Sequence, residues 1–208
     1  MSPVTCFRDY SVPVTSVGAA TAGGRTAGAQ RVLDAALELF SEHGFAGTSL
    51  QDIADRLGVT KAAVYYHFHS KDDLLLALVE PVIDELMAMA AESNSVRVGR
   101  GIGIARYVDY LLSHRRVAVY LTRDATAMGH PRLVEKGAQL RGRVESMLLG
   151  SDAGDLGTVW GAATLQALAG ALLAAPPDVP EEWLREELTE LGAHLLAGYR
   201  KAVRRREA

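Results

Sequence analysis

The sequence predicts an all-α protein with an N-terminal three-helix unit of the helix-turn-helix type and a larger helical domain behind it. Two observations predict this. Apolar residues recur at helical spacing along most of the chain, and no alternating apolar run supports a strand. The stretch Gly47–Glu80 reads as two short helices joined by a tight turn and followed by a long helix. The division that follows is an arm over 1–24, a helix-turn-helix domain over 25–71 and a helical domain over 72–208.

The first 24 residues lack periodicity and are rich in Pro, Gly, Ser, Thr and Ala, the composition of a flexible arm. They lack a basic start followed by an apolar block, so no secretory signal is expected. Arg25 closes the arm, either solvated or reaching a phosphate or the minor groove.

A first helix spans Ala27 to His43 and ends at Gly44. Ser49, with Asp52 three residues on, makes a capping-box start. Leu50, Ile53, Ala54 and Leu57 then form one buried face, and Gly58 is suited to close the helix in the left-handed conformation. Thr60 caps a second short helix, Lys61 to Phe68, whose apolar anchors are Val64 and Phe68. Thr60, Lys61, Tyr65, Tyr66 and His67 are left facing outward. Hydroxyls, an imidazole and ring faces on such a helix suit phosphates and base edges. The alternative is a tyrosine pair in the core with satisfied hydroxyls.

Behind this unit, a helix from Asp72 to about Ser93 keeps a 3.6-residue period, with a kink expected at Pro81. Further helices are expected over Ile102–Arg115, Val117–Ala127, Arg132–Leu149, Asp155–Ala175 and Glu181–Val203. Leu156 to Pro177 is uncharged and long enough to span a bilayer. Thr158, Thr164, Gln166, Pro176 and Pro177 oppose that, so the favoured reading is a helix buried all round in a dimer core, with no membrane. Leu184, Leu188, Leu191, Leu195 and Tyr199 make a near-heptad stripe. With Leu165, Leu168 and Leu172, two copies would form a four-helix bundle. The competing account is that the stripe closes the chain's own core.

Composition narrows the function. The 208 residues are 49% apolar, enough for a sizeable core, with a net charge of −3. The pI near 6.1 gives no licence for coating polyanions. One cysteine, Cys6, excludes an intrachain disulfide and a multi-cysteine zinc site. His67 and His69 lack neighbouring acids or cysteines that would complete a metal set. No nucleophile elbow, phosphate loop, HExxH or dinucleotide fingerprint is present, so neither catalysis nor a cofactor is expected.

The series Phe45-x-Gly47-Thr48-Ser49, Ile53-Ala54, Gly58-Val59-Thr60-Lys61, Val64-Tyr65-Tyr66-His67-Phe68 and Ser70-Lys71-Asp72-Asp73-Leu74-Leu75 resembles the DNA-binding domain of the TetR family of transcriptional regulators. The likeness covers roughly Ala27 to Val79. It implies a cytoplasmic homodimer that binds operator DNA and is most often a repressor released by a small molecule. The DNA-facing set is then Ser49, Gln51, Thr60, Lys61, Ala62, Tyr65, Tyr66, His67 and Lys71. One departure stands out: residues 25–79 carry five Lys or Arg against seven acids, a net of −2. A non-specific or architectural DNA binder would need a basic surface instead; a small helical enzyme is the more distant alternative. Candidates for an apolar ligand pocket with a few polar groups are Met87, Tyr107, Tyr110, His114, Tyr120, Arg123, Asp124, Met128, Trp160 and Gln166.

Overall fold

The computed structural model describes residues 26–95, 100–150, 153–176 and 178–208. The expected arm, with Cys6 and Arg25, lies outside the described residues. Among those residues the chain is helical throughout: α1 (Ala27–Gly47), α2 (Leu50–Leu57), α3 (Lys61–His67), α4 (Lys71–Ser95), α5 (Arg100–Ser113), α6 (Arg115–Arg123), α7 (Ala125–Met128), α8 (Pro131–Leu149), α9 (Gly154–Ala174) and α10 (Glu181–Glu207).

Local chemistry sets the ends of the first helices. Thr26 caps α1 by accepting from Ala29 N. Ser49 Oγ accepts from Asp52 N while the Asp52 carboxylate accepts from Ser49 N, which closes the expected capping box. Gly58 ends α2 at φ 65°, and Thr60 caps α3. Gly44, at φ 76° and ψ 162°, breaks α1 near its end, a conformation open in practice only to glycine. The chain turns there and lays Phe45 edge-on against Phe40, with ring centroids 5.4 Å apart.

Two apolar cores follow. The first joins α1, Ile53, Ala54, Val64 and the first half of α4. It does not stop at residue 71: Val117, Tyr120, Ala127 and Leu133 belong to it. The second is formed by the far half of α4 with α5, α8, α9 and α10. The long α4 therefore has one end in each core, and α8 packs along it. Pro81 sits inside α4 without ending it. The single helix expected over Val117–Ala127 is two, broken at Asp124, whose Oδ1 accepts from Thr126 N and Ala127 N to start α7.

Candidate DNA-reading surface

α3 has seven residues, and only Val64 is buried. It packs on α2 and α1 through that side chain and half-buried Phe68. The opposite face is open. Tyr66 is 82% exposed and Tyr65 52%. Lys61, Ala62 and His69 are exposed beside them, and together these five line one shallow, mostly apolar depression. The rings of Tyr65 and His69 lie 5.0 Å apart. Such a face offers phenol hydroxyls and an ammonium for phosphates, and ring edges and a methyl for base edges. His69 was absent from the expected set because it lies beyond the helix; its place one turn after Tyr65 brings it in.

The other expected residues divide by what already holds them. Gln51 is exposed, with its side-chain amide donating to Asp55 Oδ1 at 2.7 Å. Ser49 and Thr60 are exposed, but their hydroxyls accept the capping N–H groups of Asp52 and Ala63. His67 is half-buried and turned toward the start of α1, its Nε2 against Gly28. Lys71, expected against DNA, is committed elsewhere: its ammonium donates to the carbonyls of Phe45 and Ala46 at 2.6 and 3.3 Å and lies over the Phe45 ring. Arg56 bridges α2 to Glu42 and Glu38 on α1 at 2.7 and 3.4 Å. Among the described residues, with Arg56 and Lys71 so engaged, Lys61 supplies an exposed cation on this face.

A sequence model described as "Bacterial regulatory proteins, tetR family" matches residues 32–78, the segment that builds this surface. Over this segment the chain is similar to the TetR family. The HTH-type transcriptional regulator AcrR of Shigella flexneri is 49% identical over 51 residues, 24% of either chain. The tetracycline repressor protein class A from transposon 1721 of Escherichia coli is 37% identical over 133 residues, 60% of this chain and 56% of that protein. The chain thus spans from about a quarter to just over half of the length of these two relatives. Among solved structures, the TetR family transcriptional regulator PfmR from Thermus thermophilus superposes with a TM-score of 0.59 at 26% identity, covering 77% of this chain and 96% of its own. The ketosteroid transcriptional regulator KstR2 of Mycobacterium tuberculosis, at 19% identity, shares the fold with a TM-score of 0.65 over 85% of this chain and 96% of its own.

Behind this surface, the ten pocket candidates are not gathered into one cavity. Tyr107 and Tyr110 of α5 cluster with His114, which follows that helix, and the Tyr110 and His114 rings lie 4.7 Å apart. The Tyr110 hydroxyl donates to the Val82 carbonyl just after Pro81, and His114 Nε2 lies 3.2 Å from Glu85 Oε2. Burial pushes the phenols of Tyr107 and Tyr110 above their ordinary range. Tyr120, Arg123 and Asp124 instead line a cleft of about 320 Å³ with Phe40, Ser41 and Gly44 of α1. Met87 packs on the first core. Trp160 rests on Gly198, Gln166 is exposed, and Met128 is 44% exposed. No three metal-ligating side chains converge among the described residues.

The expected interface residues take the following places within the chain. Leu168, Leu172, Leu184, Leu188 and Tyr199 are buried within a single chain, in the second core. Leu165 and Leu191 are partly buried against it, and Leu195 is half-buried. The stripe is largely used to close the chain's own core. The outer faces of the same helices carry Val159, 67% exposed, and Trp183, 46% exposed.

Proposed function

We propose that this chain is a TetR-like DNA-binding transcriptional regulator, a cytoplasmic repressor that leaves its operator when a small molecule binds the helical half. The observation that carries the reading is the outward face of α3. Two large tyrosines and a lysine stand in water on a seven-residue helix fixed by caps at both its own start and that of α2. That is an unfavourable use of aromatic surface unless a partner covers it. The tetracycline repressor among its relatives supports repression as the direction of control. A reader with a net of −2 over residues 25–79 speaks against a non-specific DNA coat. The absence of catalytic motifs from the sequence speaks against an enzyme.

One α3 covers one half-site, so the reading includes a homodimer that sets two copies about 34 Å apart, one turn of the duplex. α9 supports this. It is long and apolar enough to cross a membrane, yet only 28% of its most apolar 18-residue window is buried in the chain. A second copy laid on the outer faces of α9 and α10 would cover it, with small Ala and Gly residues allowing close approach.

The test is a titration of DNA from beside the chain's own gene against scrambled competitor at two salt concentrations. The expected result is saturable retention that survives competitor. Retention that ignores sequence and collapses with salt would instead support the non-specific reading.

A further inference from the structure

The elbow between α1 and α2 is gripped from two directions. The N–H of Phe45 donates to Asp124 Oδ2 at 2.6 Å, across 79 residues of sequence. The carbonyl of the same residue accepts from Lys71 Nζ at 2.6 Å. Asp124 uses its other oxygen to start α7, accepting from Thr126 N and Ala127 N at 3.0 Å. One carboxylate thus joins the end of α6, the start of α7 and the elbow of the reader.

The need for the grip is local. Gly44 departs from helical geometry, so the last residues of α1 are turned away from the helix before them. Asp124 supplies Phe45 N–H with a charged acceptor, the stronger kind of hydrogen bond. Burial alone would push its carboxyl up, but the N–H groups of Phe45 and Ala127, the Tyr120 hydroxyl and the N–H of Thr126 hold it below the usual range, as a carboxylate. Beyond the elbow the chain has little slack. The Thr48 hydroxyl donates to the carbonyls of Leu39 and Gly44, and Ser49 is already the cap of α2. A shift of Phe45 therefore carries α2 with it, and α3 packs on α2.

We propose that Asp124 is a positioning residue for DNA reading, one that holds the α1–α2 elbow, and through it α3, in register with the helical half behind it. This rests on the DNA-reading function above and adds a connection between the two halves separate from the continuous α4. Asp124 touches no DNA; it acts through the Phe45 peptide.

Asp124→Ser tests it in the full chain. Serine is a good helix cap and preserves the start of α7. Its single, shorter oxygen cannot also reach Phe45. Three measurements are made: amide hydrogen exchange, thermal melting, and affinity for the duplex that the wild type selects from a random pool. The Phe45 amide should exchange at least about tenfold faster, the loss expected for a charge-assisted hydrogen bond. Exchange at Ile53 and Val64 should stay as in the wild type, and the melting midpoint should fall by no more than a few degrees, the loss of this one bond. Affinity for the selected duplex should fall roughly tenfold with the preferred sequence unchanged, because register is lost and the reading face is not. Asp124→Asn, which keeps the volume and one acceptor oxygen, should give the same pattern at smaller size and serves if the serine variant does not fold. Unchanged Phe45 exchange overturns the clamp. Faster Phe45 exchange with unchanged affinity overturns the positioning role. Faster exchange throughout α1–α3 with a melting midpoint lowered beyond that shows a merely structural residue and overturns it too. A wild type that selects no duplex overturns the DNA-reading function instead, whatever Phe45 does.

Discussion

The α2–α3 pair and the α9–α10 pair are both helices in sequence succession, yet their ends are fixed by different means. In the first, neighbours along the chain do the work: Ser49 with Asp52, Gly58, and Thr60. In the second, neither Ala153 nor Pro180 makes a side-chain capping bond. Packing of α9 and α10 on each other, of α9 on α8 and of α10 on α5 holds them. The outward faces differ as well, polar-aromatic on α3 and small or apolar on α9. Where adjacent residues define a helix, its free face can be read as a function. Where distant helices define it, the same apolar period serves a core, an interface or a bilayer equally well.

The sharpest way to break that comparison is to place a charge on each side of α9–α10. Leu188→Arg buries a guanidinium in the chain's own core and should cost more than about 4 kcal/mol, melting the second core. Val159→Arg, on the outer face, should leave helicity intact but sediment as a monomer. A folded monomer from Leu188→Arg and a dimer from Val159→Arg, read by circular dichroism and sedimentation, would reverse the assignment of faces.

Phe40 comes next. It is 1% exposed, packs on Phe45 within the reader and stacks with Tyr120 of α6 at 5.9 Å. Phe40→Ala should lower stability by about 3–5 kcal/mol in chemical denaturation. Because its core joins reader and helical half, a single transition should weaken as a whole; loss confined to an early transition would show two independent domains.

Lys61→Ala tests the reading face itself. Affinity for the selected duplex should fall by roughly 1–3 kcal/mol while the melting midpoint is unchanged. Equal binding by the variant in a gel titration would remove α3 from the interface. Ser49→Ala is the smallest, a loss of about 1 kcal/mol of stability measured in urea, because one cap is removed from one short helix. A loss near zero would show that packing on α1, and not the local cap, holds α2.

The α2–α3 unit was legible in its caps, its anchor and its outward tyrosines, though not at His67, which turns back onto Gly28. The capping box, the left-handed Gly58, the Val64 anchor and the exposed tyrosines all follow from rules that act over three or four residues. The fate of Lys71 was not, since its acceptors at Phe45 and Ala46 lie 26 and 25 residues away. The break at Asp124 was hidden for the same reason. An aspartate between Arg123 and Ala125 shows no sign that it caps one helix and holds another 79 residues upstream. The pocket candidates were chosen by residue type, and type does not place Tyr107 in the second core and Arg123 at the α1 elbow.

By itself, the sequence determined an all-helical chain, the ends of α2 and α3, and which face of α3 meets water. Those depend on backbone capping and on a period of 3.6, both written in adjacent residues. Tertiary structure alone decided which cations remain free, that the leucine stripe of α10 closes the chain's own core, and that the reader's elbow is held from the far half. Each of these is a choice among partners equal in chemistry and remote in sequence, and only the path of the chain in space selects between them.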